Sequence, residues 1–367
     1  MNDSRQGKFT AKANELLRRL PMLRDWLDLQ VSDRRAFIIE FAGMPKAGKS
    51  SAIEHLRHFF SHGYKVKVNE TVGFTNAPAH QYEVYTPAEG VSLRTPGYLK
   101  SDKVDFNTWA GAYGLQELLQ ASHDKHNDLV VLDRGPWDAG CWLEHWKLEA
   151  QGKQNQDDPV AAIAEFFQLD SWTTRSDLHV VLVVDPAQAA FRELNSRLIQ
   201  HGGFASDQVA MQKMHTIYIE RFKLLAAKKR ELCPHVGASS ALLLDTTELH
   251  PHEVTLRIIE ATYSVLEGKI NERSDDVVLT SEYVSARLEG YLGTTRSSKK
   301  QVLEFLPAFV EAANALPTIH RIRLRRLLEE AQAPPTLDLA ASAPVGKERV
   351  NPLQRQLEEL LNRARRT

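Results

Sequence analysis

Cysteine is nearly absent: Cys141 and Cys233 are the only two in 367 residues. A pair so far apart supplies neither a disulfide framework nor a cysteine zinc site, and a reducing compartment follows. Long apolar runs are missing too, which excludes a membrane-spanning helix, and the start, Met-Asn-Asp-Ser-Arg-Gln-Gly-Lys, lacks the apolar core of a signal segment. Neither charge sign dominates, since the formal net charge is −1. Strong global attraction to nucleic acid or to an anionic membrane is therefore excluded, although local patches are not. These absences point to a cytoplasmic protein. With 43% apolar residues the chain can bury one large domain and still carry an appendage.

What is present begins with Gly43-Met-Pro45-Lys46-Ala47-Gly48-Lys49-Ser50, directly after the apolar run Ala36–Ala42. Two glycines at this spacing followed by Lys and Ser fit a phosphate-binding loop, provided a strand precedes and a helix follows. Both are readable: β-branched and aromatic residues precede Gly43, and Ser51–Phe60 has helical spacing up to a stop at Gly63. In such a loop successive N–H groups converge on phosphate oxygens, Lys49 reaches the outer phosphates, Ser50 ligates Mg²⁺, and the following helix adds its positive end. The expected cofactors are ATP and Mg²⁺, on Gly43, Pro45, Lys46, Ala47, Gly48, Lys49, Ser50 and Ser51.

Apolar runs alternate with amphipathic stretches from about residue 35 to 268, the pattern of an α/β fold: a five-stranded parallel doubly wound sheet with helices on both faces. The expected strands are Arg35–Ala42, Tyr64–Asn69, Asp128–Leu132, Leu178–Val184 and Ala241–Leu244. Ligands of such sheets bind beyond the carboxyl ends of the strands. That rule selects the loop at Gly43, then Glu70, Asp133-Arg134, Asp185-Pro186 and Asp245-Thr246-Thr247. Asp133 could hold Mg²⁺ and Arg134 brace a phosphoryl group, or the two could form an ion pair anchoring the next helix. Glu70 could act as a general base or be a solvated loop residue. The helix after Pro186 carries Arg192 and Arg197 and runs into His201-Gly-Gly, as a closing lid would, though solvated helix arginines read the same way.

An acceptor site is expected in the breaker-rich segment from residue 71, which holds Phe74, and on the helix after it, with Phe106, Asn107, Trp109, Tyr113 and Gln116. Flat rings and amides suit a base, while core packing also explains Trp109 and Tyr113. Trp142 and Trp146, four apart, read as packing. His55, His58 and His62 have no cysteine or carboxylate cluster beside them, so no metal site is expected there.

The domains expected are an N-terminal helical extension (1–34), a nucleotide-binding domain (35–270), a C-terminal helical appendage (271–333), and a linker with a charged tail helix (334–367). Residues 271–367 carry 15 basic against 13 acidic residues, so only the strip Arg321, Arg323, Arg325 and Arg326 suggests phosphate contact, and a solvated face is the simpler reading.

Taken together, Gly43–Ser50, Glu70, Asp133-Arg134 and Val184-Asp-Pro-Ala-Gln-Ala-Ala-Phe-Arg192 resemble the thymidylate kinase and deoxynucleoside kinase group of P-loop kinases. The resemblance implies γ-phosphoryl transfer from ATP to a nucleoside or nucleotide, with Glu70 at the acceptor, Arg134 on the phosphates, and Arg192 and Arg197 as lid arginines. The sequence departs from the group in lacking a tight Arg-x-Arg lid cluster, in having Thr71-Val72 where proline is usual, and in everything beyond residue 271. Two alternatives stand beside it. One is a kinase acting on a hydroxymethylated pyrimidine such as 5-hydroxymethyluracil in DNA, as in phage enzymes similar to this group. The other is a regulatory nucleotide-hydrolysing switch that binds a partner.

Overall fold

The computed structural model describes residues 2–30, 34–68, 71–74, 81–87, 96–150, 159–195, 204–232, 240–273, 278–285, 306–316 and 318–330. The chain divides into two compact units, Met1–Lys269 and Ile270–Thr367.

The first unit opens with two helices, α1 (Asn2–Leu17) and α2 (Pro21–Leu29), separated where proline fixes the backbone. Leu16, Leu20, Leu23 and Leu27 are buried, and the Leu20 carbonyl accepts from the Tyr82 hydroxyl at 2.9 Å. Lys12 and Arg19 reach Glu260 and Glu267.

A five-stranded, all-parallel sheet forms the centre. Its strands are β1 (Phe37–Gly43), β4 (Val84–Tyr85), β5 (Leu129–Asp133), β6 (Leu178–Val183) and β7 (Ala241–Asp245), in the order β4-β5-β1-β6-β7. Every residue of β1 and β6 is buried, so both faces of the central strands are covered, which explains their unbroken apolar sequences. Phe41 pairs with Asp133 and Gly43 with Leu182, so the ends of β5, β1 and β6 lie side by side.

The expected second strand does not join this sheet. It forms as β2 (Lys65–Val68) but pairs antiparallel with β3 (Thr71–Phe74) in a separate ribbon. Lys65-Val-Lys-Val alternates polar and apolar, the pattern of a strand with one covered face, whereas the central strands are apolar throughout. Asn69 and Glu70, between the two strands, lie outside the described residues. The fifth strand of the sheet is β4 instead, two residues long and too short for a pattern to reveal.

The helices follow from the sequence around each strand. α3 (Lys49–Ser61) buries Ala52, Ile53, Leu56, Phe59 and Phe60 and stops before Gly63, whose φ is +96°. α4 (Lys103–Ala121) is capped by Asp102, which accepts from the Val104 and Asp105 N–H groups. α5 (Pro136–Ala150), α6 (Pro159–Phe167) and the single turn α7 (Asp170–Thr173) lead into β6. α8 (Pro186–Leu194), α9 (Gln208–Leu232) and α10 (Pro251–Glu272) complete the order. Ala139 and Leu143 of α5 pack on Ala164 and Phe167 of α6, while Leu118 of α4 packs on Val130 and Leu132 of β5. Among the described residues no helix is long and apolar enough to cross a membrane.

A buried carboxylate ties strand entry to the helical layer. Asp177 accepts both guanidinium N–H groups of Arg35 at 2.7 Å, the Ile38 N–H at 2.8 Å, and has Lys269 at 2.9 Å. Burial opposes its ionisation, but Arg35, Lys269 and these bonds hold its pKa well below the ordinary carboxylate value. A folded-state pKa below the unfolded one gives stability that is complete above about pH 4 and is lost as pH falls below it. Asp177→Asn is accordingly expected to cost about 3–5 kcal/mol at pH 7, by leaving Arg35 and Lys269 without their carboxylate, and to flatten the acid limb of the stability profile. Thermal melts between pH 2 and 7 read both effects; an unchanged acid limb in the variant would refute the assignment.

In the second unit, helices over 281–285 and 306–314 and α11 (Thr318–Glu330) enclose Leu279, Val284, Phe309, Leu324 and Leu328. Asn314 bonds both the N–H and the carbonyl of Leu279, at 2.9 and 2.8 Å. Within the arginine strip, Arg325 covers the Tyr283 ring at 5.2 Å and Arg321 donates to the Thr318 hydroxyl.

Candidate functional site

Parallel pairing brings the loops after β1, β5, β6 and β7 to one edge of the sheet. The β1–α3 loop has the least ordinary backbone: Gly43 at φ +136°, Lys46 at +61° and Gly48 at +90°. A Cβ on Gly43 would fall on the Leu182 carbonyl, with Leu182 N 2.8 Å away, whereas one on Gly48 would meet open space. Positive φ at Gly43, Lys46 and Gly48 curls the loop into the start of α3, whose N-terminal end is the electropositive one. Gly48 provides no side-chain cap there.

The Lys49 side chain is buried along the loop, and its ammonium donates to the Gly43 and Met44 carbonyls at 2.7 and 2.9 Å. Ser50 and Ser51 are exposed in the first turn of α3. Arg192, expected as a lid arginine, is engaged with the loop itself. Its guanidinium, on the last turn of α8, donates to the Lys46 carbonyl (3.1 Å) and to the Thr246 and Thr247 carbonyls (2.6 and 3.2 Å), clamping the loop to the end of β7. Thr246 reinforces the clamp by donating to the Ala47 carbonyl at 3.0 Å. A planar, five-donor fork can bridge several carbonyls at once, which a single donor could not. Asp185 caps α8 through the Ala187 and Gln188 N–H groups. Arg197 lies outside the described residues.

A cavity of about 330 Å³ opens beside this loop, lined by Pro45, Lys103, Phe106, Asn107, Ala110, Asp133, Arg134, Gly135, Asp138, Ala139, Trp142, Trp146 and Phe204. Asp133 and Arg134 are thus brought to it, together with Phe106 and Asn107 from α4. Trp142 and Trp146, read from sequence as packing, do pack, and they also line the cavity. Their rings lie 6.4 Å apart and 26° from parallel, and Phe204 approaches Trp142 at 5.0 Å. Trp109 and Tyr113 are not among its lining; they stack on each other at 5.7 Å and 4°. Gln116 is exposed and faces a groove between α4 and α6. The helical turn explains the split, since 103, 106, 107 and 110 share a face of α4 that 109, 113 and 116 do not. Phe74 belongs to the β2–β3 ribbon, outside the sheet.

Two buried acids organise the wall, and sequence reasoning singled out neither. Glu40, inside β1, accepts from Trp137 N–H at 3.1 Å and from the Ser176 hydroxyl at 2.8 Å, fixing the start of α5. Burial works against its charge, yet His179 at 3.2 Å and these donors hold its pKa below the ordinary range, while burial lowers that of His179. Asp138 accepts from Gly43 N–H (2.9 Å), Tyr218 hydroxyl (2.6 Å) and Arg134 guanidinium (2.7 Å). Burial opposes the charge on Arg134, but Asp138 raises its pKa above the ordinary value; burial and Asp138 both raise that of Tyr218, which stays a neutral donor. An acidic strand centre in an apolar run was the available signal for Glu40; the i,i+4 spacing of Arg134 and Asp138 was the signal for the pair.

Among the described residues no group of three or more His, Cys, Asp or Glu side chains could hold a metal ion. One hydroxyl (Ser50) and one carboxylate (Asp133) are nonetheless a donor set suited to Mg²⁺, which keeps waters and shares phosphate oxygens. Comparison with protein-family models and with curated proteins finds no match to this chain.

Proposed function

We propose that the first unit transfers the γ-phosphoryl group of ATP, with Mg²⁺, to a nucleoside or nucleotide acceptor. The observation that carries this reading is the adjacency of the twice-glycine loop, with the Lys49 ammonium held on its carbonyls, to an aromatic-walled cavity that has Pro45 of that loop, Asp133 and Arg134 in its lining. The loop N–H groups hold the phosphates, and Lys49 exchanges two backbone carbonyls for the outer phosphate oxygens. Ser50 and Asp133 hold Mg²⁺, which neutralises charge on the β- and γ-oxygens. Arg134 supplies a fixed guanidinium to the transferred group. The cavity lies within the size range of small-ligand sites, and Trp142, Trp146 and Phe106 offer faces for a base. Its described lining carries Lys103 and Arg134 against Asp133 and Asp138, a balance that suits an acceptor of little net charge, hence a nucleoside ahead of a monophosphate.

Transfer of label from γ-³²P ATP to parallel sets of nucleosides, nucleoside monophosphates, and DNA with ordinary or hydroxymethylated pyrimidines tests the reading. Label on a free nucleoside or nucleotide is expected. Label on DNA alone would replace the acceptor by a base in a polymer, and inorganic phosphate as the only labelled product would replace transfer by a hydrolytic switch. Within that assay, Trp142→Ala is expected to raise the acceptor KM about tenfold or more, since base–aromatic stacking is worth about 1–3 kcal/mol. Trp109→Ala should leave that KM within about twofold. The opposite ranking would move the acceptor to the outer face of α4.

A further inference from the structure

Asp138 is 1% exposed, and both of its carboxylate oxygens are engaged. Oδ1 accepts from the Gly43 N–H and the Tyr218 hydroxyl, and Oδ2 accepts from Arg134. Those partners come from different places: the point where β1 enters its loop, the 25-residue helix α9, and the residue after β5. Gly43 in turn offers its carbonyl to the Lys49 ammonium. A chain of contacts therefore runs from the Arg134 guanidinium through Asp138 and the backbone N–H and carbonyl of Gly43 to Lys49, from the cavity to the β1–α3 loop.

Arg134 has a reason to need such a partner. It is a non-glycine residue at φ +67°, a conformation that persists only where surrounding bonds over-determine it. Its N–H donates to the Phe41 carbonyl at 3.0 Å, and its guanidinium is held between the Asp138 carboxylate and the Trp142 ring, 5.7 Å from the ring centre. The backbone bond fixes where the side chain starts; Asp138 and Trp142 fix where the guanidinium ends. Of these two, only Asp138 also bonds the β1–α3 loop.

We infer that Asp138 is a positioning residue that sets the Arg134 guanidinium in register with the phosphate-binding loop, so that one buried carboxylate aligns the two halves of the transfer. The inference rests on the proposed phosphotransfer. It does not require Asp138 to touch either substrate, since three of about four acceptor sites on its carboxylate already take hydrogen bonds from within the protein. In-line transfer depends on alignment within about an ångström, so losing register should act on turnover and spare binding.

A double-mutant cycle tests this, using Asp138→Asn in the wild-type and the Arg134→Met backgrounds. The quantities read are kcat, acceptor KM, MgADP affinity and melting temperature. In the wild-type background kcat is expected to fall about 30-fold or more, with acceptor KM and MgADP affinity within about threefold. In the Arg134→Met background the same change should lower kcat by less than about threefold, because the group it positions is gone. Equal losses in both backgrounds would mean a merely structural role and overturn the inference, as would an Asp138→Asn enzyme within twofold of wild-type kcat. Asp138→Ser, smaller and still able to accept from Gly43 N–H, replaces the amide variant if that variant does not fold, with the same expected outcomes. Absence of transfer by the wild-type protein overturns the functional reading and this inference with it; transfer with additive losses overturns this inference alone.

Discussion

Lys49→Ala is expected to lower phosphoryl transfer by about 10³-fold or more while the fold is retained. The two halves of that expectation have separate origins. On the proposed reading the ammonium meets charge on the outer phosphates within a hollow of fixed N–H dipoles, where removing even one such donor costs about 10²–10³ in turnover. Alanine supplies no charge at that point, and the loop N–H groups cannot move to replace it, since Arg192 and Thr246 clamp the carbonyls of Lys46 and Ala47. Stability should change little. The side chain is buried, and among the groups it bonds are two backbone carbonyls, one of which, that of Met44, also accepts from Ala47 N–H at 3.3 Å. Neighbouring Gly48 and Ser50 are exposed, so water can reach the positions the ammonium leaves. Steady-state assays beside thermal melts check both halves. Full activity would show that the loop is not the phosphate site; a collapse in melting temperature would show that Lys49 acts chiefly as an internal crosslink.

Legibility of the chain followed how local each cause was. The β1–α3 loop was readable because its conformational demands are met by residues in one octapeptide, and β1, β5, β6 and β7 because strands covered on both faces must be apolar throughout. β4 was hidden, since two residues carry no period, and its role fell by default to Tyr64–Asn69, whose alternation suits a ribbon. Phe106 and Asn107 line the cavity and Trp109, Tyr113 and Gln116 do not, a split that was hidden because the sequence could not say which way α4 was rotated. The same uncertainty made Trp142 and Trp146 look like core. A stripe of large rings reads identically whether another helix or a ligand faces it, and only the packing of α5 against α4 and α6 decides. Arg192 turned inward because the carbonyls that attract it come from two loops distant in sequence, at Lys46 and at Thr246-Thr247. Glu40 and Asp138 went unnoticed for a related reason: each is stabilised by donors that converge only after the sheet has formed.

Gly43→Ala is expected to be the most damaging single methyl group in the first unit, lowering stability by more than about 3 kcal/mol or preventing folding outright. Two effects add. At φ +136° an L side chain is strained wherever it sits, at about 1–3 kcal/mol. The new Cβ would also fall on the backbone of the neighbouring strand, on the Leu182 carbonyl and within 2.8 and 2.9 Å of Leu182 N and C. No rotamer change relieves a clash with main chain. Relief requires β1 and β6 to part at the register Gly43↔Leu182, which would break the Met44 N–H bond to the Leu182 carbonyl at 3.0 Å and pull the Gly43 N–H from Asp138. Gly48→Ala separates the two effects within the same loop. Its φ of +90° imposes strain, but the added methyl meets nothing within 4 Å, so a loss of about 1–2 kcal/mol is expected from backbone strain alone. Denaturant unfolding of both variants measures the difference. A Gly43→Ala protein no less stable than Gly48→Ala would mean that β1 and β6 do not approach each other as closely at this point as the structure places them, and with that the anchorage of the loop to the sheet would be lost.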